Sequence, residues 1–303
     1  MGGSGGGFFP DSDITRQLRE TEAQTKDQQF ESEVSGIINS LLADYNNRDV
    51  LTIQGHLDTV KSALEREIEG TIDILYGGSV AKHTYVDGLS DIDALVLIDK
   101  SELRDKSPAE VKEYFFERLQ ARLPRTQIGQ GNLAVTVKFR DAEIQLLPAI
   151  RHKSGFQIAD FTGNNWSAIK PREFTSSLTE INQNSGGKVV PTIKLAKSII
   201  SDLPENQRLS GYHTEAIAVE VFQKYQGPKR TKDMLQCFFQ EASKSVLQPI
   251  RDTTGQSMHV DDYLGSGSSA DRNKISKFLD RISRRMKNAD GAQSIDQWRN
   301  ILD

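Results

Sequence analysis

Two aspartates at alternate positions, Asp91 and Asp93, follow a glycine-serine turn in the stretch YGGSVAKHTYVDGLSDID. On a β-strand, side chains two residues apart point to the same face at a spacing of about 7 Å, so both carboxylates face one side. Such a pair repels itself unless a cation lies between the carboxylates or one of them takes up a proton. Oxygen ligands favour a hard cation, and Mg²⁺ is the usual one when a phosphate completes its coordination. The pair therefore predicts a divalent metal site.

The glycine-serine turn, Gly77 to Ser79, predicts a phosphate site beside the aspartates. It follows a predicted strand and precedes a short helix-like segment. Backbone N–H groups and a hydroxyl in such a turn can bind phosphate oxygens, and the helix dipole adds to the attraction. Either motif alone is common. Together, each beside a strand and about a dozen residues apart, they favour phosphoryl or nucleotidyl transfer by two metal ions.

Two other motifs do not fit this stretch. GGSVAKHT lacks the second glycine before the lysine of a P-loop, and its lysine is not followed directly by Ser or Thr. DGLSDID lacks the glycine and the glutamate that an EF-hand loop places at its sixth and twelfth positions. Neither a P-loop nor an EF-hand is predicted.

Hydrophobic periodicity predicts the elements that must position these motifs. Two helices precede Gly70, and the runs TIDILY and DIDALVLID are typical of buried strands. A helix is predicted from Pro108 to Leu123, and LAVTVKFRDAEIQLLPAI predicts a hairpin that turns at Arg140 and Asp141. This order is typical of a lobe that combines helices with a mixed sheet.

The second half of the chain predicts a helical lobe. Residues 152–166 and 176–187 look loop-rich, and from Val189 onward four segments each carry a helical apolar stripe. We predict a flexible glycine-rich opening at 1–12, a catalytic lobe at 13–160 and a helical lobe at 161–303. A cleft is expected at the junction of the two lobes.

Composition limits the class of protein. With 303 residues, 36% hydrophobic and 26% charged, the chain is predicted to be soluble, globular and two-lobed. A net charge of -4 argues against a dedicated nucleic-acid coat but leaves a local basic groove open. The single cysteine, Cys237, excludes an internal disulfide and a Cys-based zinc site. With no long apolar run and no secretion signal, the sequence predicts a cytoplasmic protein.

GGSVAKHT followed by SDIDALVLI resembles the hG[GS] and DhDhh signature of the DNA polymerase β-type nucleotidyltransferase superfamily. More narrowly, residues 30 to about 225 resemble the bacterial cGAS/DncV-like nucleotidyltransferases (CD-NTases) of antiphage signalling. The resemblance implies an α+β fold with a polymerase-β-like catalytic lobe, a mixed β-sheet and a C-terminal helical lobe that closes over the nucleotide. It implies synthesis of cyclic di- or trinucleotides from NTPs, most often ATP, with two Mg²⁺ ions or with Mn²⁺.

The same resemblance implies partners. Relatives in such operons sometimes need a regulatory protein encoded nearby, and whether this chain needs one is left open; a downstream effector would bind the product. No membrane contact is expected, and binding of nucleic acid is left open.

The family's third acidic residue, in a setting such as D-x-x-P, corresponds to the segment EIQLLPAI. Gln145 occupies that position here, three residues before Pro148. Glu143 lies two residues earlier and on the same strand face, so we predict that Glu143 is the third metal ligand or the base. Which of the two fills the acidic position is left open, and if neither does, catalysis would be impaired.

Several nucleotide contacts are implied by the resemblance. Gly78 and Ser79 would seat the donor triphosphate. Lys194 and Lys197 lie on a segment that resembles the family helix whose lysine reaches the triphosphate, and Lys194 matches best. Tyr212, in LSGYHTEAIAVE, could stack on a base or fill the core between the lobes.

The predicted mechanism combines these assignments. Asp91 and Asp93 bind two Mg²⁺ ions, and Glu143 helps to deprotonate the ribose hydroxyl of the acceptor. Attack on the α-phosphate releases pyrophosphate, and a second round on the re-seated linear product closes the ring. Two alternatives stay open: a nucleotidyltransferase that modifies a macromolecule or a small molecule such as an antibiotic, and, because of Gln145, a catalytically impaired nucleotide- or RNA-binding sensor.

Overall fold

The structure, a computed structural model, describes residues 11–47, 49–66, 68–87, 89–153, 155–160, 162–204, 207–254 and 258–303. The first ten residues of the predicted flexible opening lie outside these ranges, and residues 11 and 12 already belong to the first helix. None of the helices in the described ranges is both long enough and apolar enough to cross a membrane.

The described residues form a sheet flanked by helices. The helices are α1 Asp11–Asp44, α2 Val50–Glu65, α3 Gly78–Ala81, α4 Pro108–Arg122, α5 Pro171–Asn184, α6 Val189–Ser201, α7 Gly211–Gln223, α8 Thr231–Ser245, α9 Ala270–Gly291 and α10 Ile295–Leu302. The strands are β1 Gly70–Tyr76, β2 Ile92–Ser101, β3 Gln127–Gln130, β4 Val135–Lys138, β5 Glu143–His152, β6 Gly155–Ala159 and β7 Trp166–Ile169. Short 3₁₀ turns lie at Glu102–Asp105 and Asp262–Leu264.

Local sequence accounts for where the helices of the first lobe begin. Asp49 caps α2 by accepting hydrogen bonds from the backbone N–H groups of the second and third residues that follow it. Ser107 caps α4, Glu110 completes a capping box, and Pro108 takes the first helical position, where no backbone N–H is required.

The seven-stranded sheet is mixed, as predicted. Its central order is β1-β2-β5-β4-β3, and β6 pairs with both β5 and β7. The β2–β5 pair is parallel and the other pairs are antiparallel. Parallel pairing brings the first residues of β2 and β5 to the same edge of the sheet, with Asp93 in register with Gln145. The predicted hairpin is confirmed as β4–β5.

The two faces of the sheet have different roles. Ile92, Ala94, Val96 and Ile98 of β2 are buried in the core formed with α2 and α4. Alternation along the strand turns the intervening positions, which begin at Asp93, to the opposite face, towards the helical lobe.

The helical lobe has its own core, to which α6, α7, α8, α9 and α10 contribute. The C-terminal half of α1 belongs to this core through Phe30, Val34 and Ile38, although the sequence placed this helix within the catalytic lobe at 13–160. Its apolar side faces the helices of the second lobe, a contact that linear order does not reveal. The α+β class with a helical second lobe is confirmed, while the lobe boundaries stay a prediction.

Two segments predicted to be loop-rich are regular. Residues 152–166 contain β6 and the start of β7, which add two strands to the sheet. Residues 176–187 begin within α5, where Phe174, Leu178 and Ile181 are buried at helical spacing. The prediction was wrong because β6 and β7 are short and because the apolar residues of α5 are separated mainly by Ser and Thr.

Candidate active site

A cavity of about 870 Å³ lies between the open face of the sheet and the helical lobe. Predicted site residues from both lobes share its lining: Gly78, Ser79, Asp91, Asp93, Lys197 and Tyr212. Gln145 also lines it, whereas Glu143 and Lys194 do not. The glycine-serine turn and the aspartates therefore share one cavity with residues of the helical lobe. The central strands β2 and β5 border this cavity with residues near their starts.

The carboxylate of Asp93 lies against the glycine-serine turn. The backbone N–H of Gly77 donates to the Asp93 carbonyl at 2.8 Å, and the backbone N–H of Ser79 donates to the Asp93 carboxylate. Gly78 has φ of 46°, and a Cβ at this position would lie 1.5 Å from Asp93 Oδ2. Only glycine provides both this backbone conformation and this space, so the second glycine of the motif is required by the position of the acid.

The aspartate pair is held in an environment that disfavours two negative charges. Burial raises the pKa of Asp93 above its ordinary value, although the positive charge of Lys82 and the Ser79 N–H oppose the shift. Burial also raises the pKa of Asp91, and the charges of Glu143 and Asp93 add to that shift. A divalent cation at the two carboxylates would offset both effects.

The donor set fits a cation whose coordination is completed by substrate. Within the described ranges, no group of three or more His, Cys, Asp or Glu side chains is arranged to hold a metal ion. The aspartate pair supplies two carboxylates on one wall of an open cavity, an all-oxygen set that suits Mg²⁺ or Mn²⁺ when phosphate oxygens and water supply the other ligands.

The third acidic position is occupied by an amide. Gln145 Nε2 donates a hydrogen bond to Asp91 Oδ2 at 2.7 Å. Glu143, predicted as the third ligand or base, forms an ion pair with Lys138 at 2.8 Å, and its side chain is 32% exposed. Its charge still reaches Asp91, whose pKa it helps to raise. The structure thus places Gln145, rather than Glu143, in contact with Asp91.

The two predicted lysines of α6 have different surroundings. Lys194 is buried, and its Nζ donates to Asn46 Oδ1 just beyond α1, away from the cavity lining. Lys197, one turn later, lines the cavity and donates to Glu215 Oε1 at 2.7 Å. Helical geometry turns residues three apart by about 60° relative to each other, enough to direct one towards α1 and the other towards the cavity. The geometry favours Lys197 over Lys194 as the lysine that faces a nucleotide.

Sequence reasoning missed a buried charge cluster that contains Lys82, Thr84 and Glu215. Glu215 is 1% exposed and accepts hydrogen bonds from Lys82 Nζ, Lys197 Nζ and Thr84 Oγ1. Burial alone would raise the pKa of Glu215, but the two ammonium charges outweigh it and the pKa lies below its ordinary value. Burial lowers the pKa of Lys197 and the positive charge of Lys82 adds to this shift, although the contact with Glu215 opposes it.

The backbone conformation just after α3 orients Lys82 and Thr84 towards Glu215. His83 has φ of 60°, a left-handed conformation that is uncommon for residues other than glycine. It lies between Lys82 and Thr84, and this turn lets both side chains reach Glu215 on α7. A lysine and a threonine that follow the glycine-serine turn, and a glutamate within the apolar stripe of α7, were the available signals. Only tertiary contact shows that they belong together.

Tyr212 forms part of the cavity wall. Its hydroxyl donates to Asp252 Oδ1 at 2.7 Å, and its ring packs edge-on against Phe174 with the centroids 5.1 Å apart. Lys82 Nζ lies 5.0 Å from the centre of the Tyr212 ring. Burial, and then the Asp252 carboxylate, raise the pKa of the Tyr212 phenol. The ring is held in place from two sides and borders the cavity, and its stacking on a base stays a prediction.

Electrostatics of the cavity suit a polyanion that carries a divalent cation. Lys82 and Lys197 supply two positive charges, and both pair with the one carboxylate of Glu215. Negative charge prevails at Asp91, where Glu143 and Asp93 both add to the rise in its pKa. A metal-bound triphosphate would neutralise both excesses at once, because its cation faces the aspartates and its phosphates face the lysines.

Comparison with known proteins agrees with this chemistry. Residues 13–182 match the profile of the Second Messenger Oligonucleotide or Dinucleotide Synthetase domain. No protein of curated function matches the chain by sequence.

The fold is similar to those of solved bacterial enzymes. CD-NTase CdnG of Bradyrhizobium diazoefficiens, solved with GTP, has a TM-score of 0.65 at 12% identity over 89% of this chain and 95% of that chain. CdnC of E. coli MS115-1, solved with ATP, has a TM-score of 0.62 at 15% identity over 82% of this chain and 90% of that one. DncV of Vibrio cholerae, a cyclic AMP-GMP synthase, has a TM-score of 0.61 at 11% identity over 97% and 90%. CdnC has also been solved in a complex with a HORMA protein.

Replacing Gly78 by alanine should displace Asp93. The added Cβ would collide with Asp93 Oδ2, and a misplacement of about 1 Å at a reacting centre costs about 100-fold in rate. We expect Gly78→Ala to lose at least that factor in pyrophosphate release. Gly186→Ala is the matched control, since Gly186 also has positive φ but a Cβ added there would meet nothing within 4 Å. Equal activities of the two variants would contradict this role of Gly78.

Replacing Asp93 by asparagine should stabilise the metal-free protein. Burial raises the pKa of Asp93 in the folded protein above its value in the unfolded chain. The free energy of unfolding therefore falls as the pH rises from the Asp93 pKa of the unfolded chain to that of the folded protein, and this loss of stability persists at pH 7. We expect Asp93→Asn to melt at a higher temperature than the wild type at pH 7 in EDTA, and the difference to vanish at acidic pH. Mg²⁺ should raise the melting temperature of the wild type only. Asp58→Asn, at an exposed site, should change neither result.

Replacing Glu215 by glutamine should leave two poorly exposed lysines with a neutral partner. Removing one member of a buried charge cluster costs about 3–5 kcal/mol in the free energy of unfolding. We expect Glu215→Gln to lower the urea midpoint accordingly, and Glu220→Gln, at an exposed position of the same helix, to leave it unchanged. A Glu215→Gln protein as stable as the control would show that the cluster does not join the lobes.

Proposed function

The chain belongs to the Second Messenger Oligonucleotide or Dinucleotide Synthetase family, the bacterial CD-NTases, and from this premise we propose that it synthesises cyclic di- or trinucleotides from NTPs. As a family member it is a nucleotidyltransferase of the cyclic oligonucleotide synthase class. The observation that carries the proposal is the shared cavity, which is lined by an aspartate pair and by two lysines that both pair with the buried carboxylate of Glu215.

The donor nucleotide is proposed to bind through residues of both lobes. Ser79 and Lys197 would contact its phosphates, and the Tyr212 ring would border its base. Lys82 lies between Glu215 and the Tyr212 ring, so it supplies positive charge at the same end of the cavity. This arrangement would direct the α-phosphate towards the aspartates.

Asp91 and Asp93 would hold divalent cations, with Mg²⁺ as the proposed ion and Mn²⁺ as the alternative. Such ions activate an attacking hydroxyl and neutralise the leaving pyrophosphate. The acceptor's ribose oxygen forms the new bond to the α-phosphorus as the bond to pyrophosphate breaks, and the hydroxyl proton passes to a base. That Glu143 is this base stays a prediction, and its ion pair with Lys138 would have to open first.

Substrate and partners follow from the family resemblance and the solved structures. CdnC was solved with ATP and CdnG with GTP, which supports NTP substrates, and we propose ATP as one of them. The complex of CdnC with a HORMA protein supports a regulatory protein partner. An antiphage role, a product-binding effector and a cytoplasmic location complete the proposal.

Gln145 favours one alternative, a catalytically impaired nucleotide sensor. An amide in place of the third acid removes one negative charge from the metal site. Such a protein would bind NTP with Mg²⁺ and release no pyrophosphate.

Labelled NTPs supplied without any other acceptor distinguish these functions. We expect the wild type to release pyrophosphate and to form cyclic products, identified by chromatography and mass spectrometry. Asp91→Asn/Asp93→Asn should lose activity by a factor of about 10³ or more, because both oxygen ligands lose their charge. The control Asp44→Asn/Asp58→Asn changes two exposed aspartates and should keep full activity.

Each contrary outcome has a distinct meaning. Nucleotide binding without pyrophosphate release would identify a sensor, and activity that requires an added macromolecule or small molecule would identify a transferase to that acceptor. Undiminished turnover in the double aspartate variant would exclude this cavity as the active site.

A further inference from the structure

Gln145 lies where a ligand of the aspartate-bound cation would have to lie. It is in register with Asp93 on the adjacent parallel strand, lines the cavity and donates its amide N–H to Asp91 Oδ2 at 2.7 Å. An amide nitrogen carries two hydrogens and is not an acceptor, so the Gln145 Nε2 that faces Asp91 cannot coordinate a metal ion there. Its hydrogen bond instead uses Asp91 Oδ2, one of the four carboxylate oxygens with which the aspartate pair could bind a cation.

Turning the amide over does not supply a charge. Gln145 Oε1 would then face Asp91 Oδ2, an arrangement of two acceptors that is stable only with a cation between them. The amide oxygen is neutral, so the site would still carry two negative charges from protein ligands. Affinity for hard cations depends strongly on the number of charged ligands.

Glu143 does not compensate in this structure. Its carboxylate is paired with Lys138 at 2.8 Å, and Glu143 does not line the cavity. Lys138 and Glu143 are also directly opposite each other on the antiparallel strands β4 and β5. The backbone pairing of the two strands therefore holds their side chains close together. To bind a metal ion, Glu143 would have to leave this ion pair and turn towards Asp91.

We propose that Gln145 weakens the second cation position at least tenfold relative to a carboxylate at the same place, while one divalent ion still binds tightly together with the donor triphosphate. The inference rests on the proposed function, because the triphosphate supplies the remaining ligands of the first ion. Its consequence is that turnover continues to rise with free Mg²⁺ after the donor nucleotide is saturating. The amide thus sets the ion concentration at which the enzyme works.

The test counts bound Mn²⁺ by electron paramagnetic resonance on the full chain, with a non-hydrolysable α,β-methylene ATP analogue at equimolar concentration. We expect one tight ion for the wild type and two for Gln145→Glu, which has the same shape and one more charge. Gln145→Met, similar in length but neutral, should keep one. Circular dichroism in EDTA checks that each variant is folded.

Two results would overturn the inference. Two ions of equal affinity in the wild type would do so, and a reduction to one in Glu143→Gln would then identify Glu143 as the third ligand. A folded Gln145→Glu protein that still binds one ion would also overturn it, because the added carboxylate would then not reach the site.

The count is independent of turnover and so separates this inference from the proposed function. If the ions are counted as expected but no cyclic product forms, the proposed synthesis fails and the inference stands. If no Mn²⁺ binds tightly in the presence of the analogue, both fail.

Discussion

The arrangement of the cavity depends on one buried carboxylate. Glu215 lies in the apolar side of α7 and is joined to Lys82 and Thr84 from the catalytic lobe and to Lys197 from α6. A charge buried without partners costs several kcal/mol, so the native structure is favoured only when all three partners are in place. The contact therefore fixes the distance between the glycine-serine turn and the helical lobe.

The two ends of the cavity carry charges of opposite sign, and at neither end are these charges fully balanced by the neighbouring side chains. At one end Asp93 lies on β2 and Asp91 immediately precedes that strand, and the parallel neighbour β5 adds Gln145 beside them. At the other end the lysines outnumber the carboxylate that they share. The sheet rigidly positions the first group, because β2 is paired on both sides, and α6 and α7 position the second. The chemistry thus depends on side chains that are positioned by two different hydrophobic cores.

The sequence predicted what local spacing determines. Asp91, Asp93 and the glycine-serine turn lie within one short stretch, and period-2 and helical patterns identified β2, the β4–β5 hairpin and α6 to α9. Contacts over long sequence separation were not predictable: the Glu215 contacts with Lys82 and Thr84 span 133 and 131 residues. The choice between Lys194 and Lys197 also needed the structure, since both are buried on α6 and only its rotation about the axis decides which one faces the cavity.

The ties between α1 and α6 link the first helix of the chain to the cavity. Tyr45, just beyond α1, donates from its hydroxyl to Ser198 Oγ at 2.9 Å, and Asn46 accepts from Lys194. Lys197 lies between these two attachment points on α6, within one turn of each. A helix fastened in this way cannot rotate or slide at Lys197 without also moving the end of α1. Whatever binds or displaces the first helix is therefore mechanically connected to the ammonium group that borders the cavity.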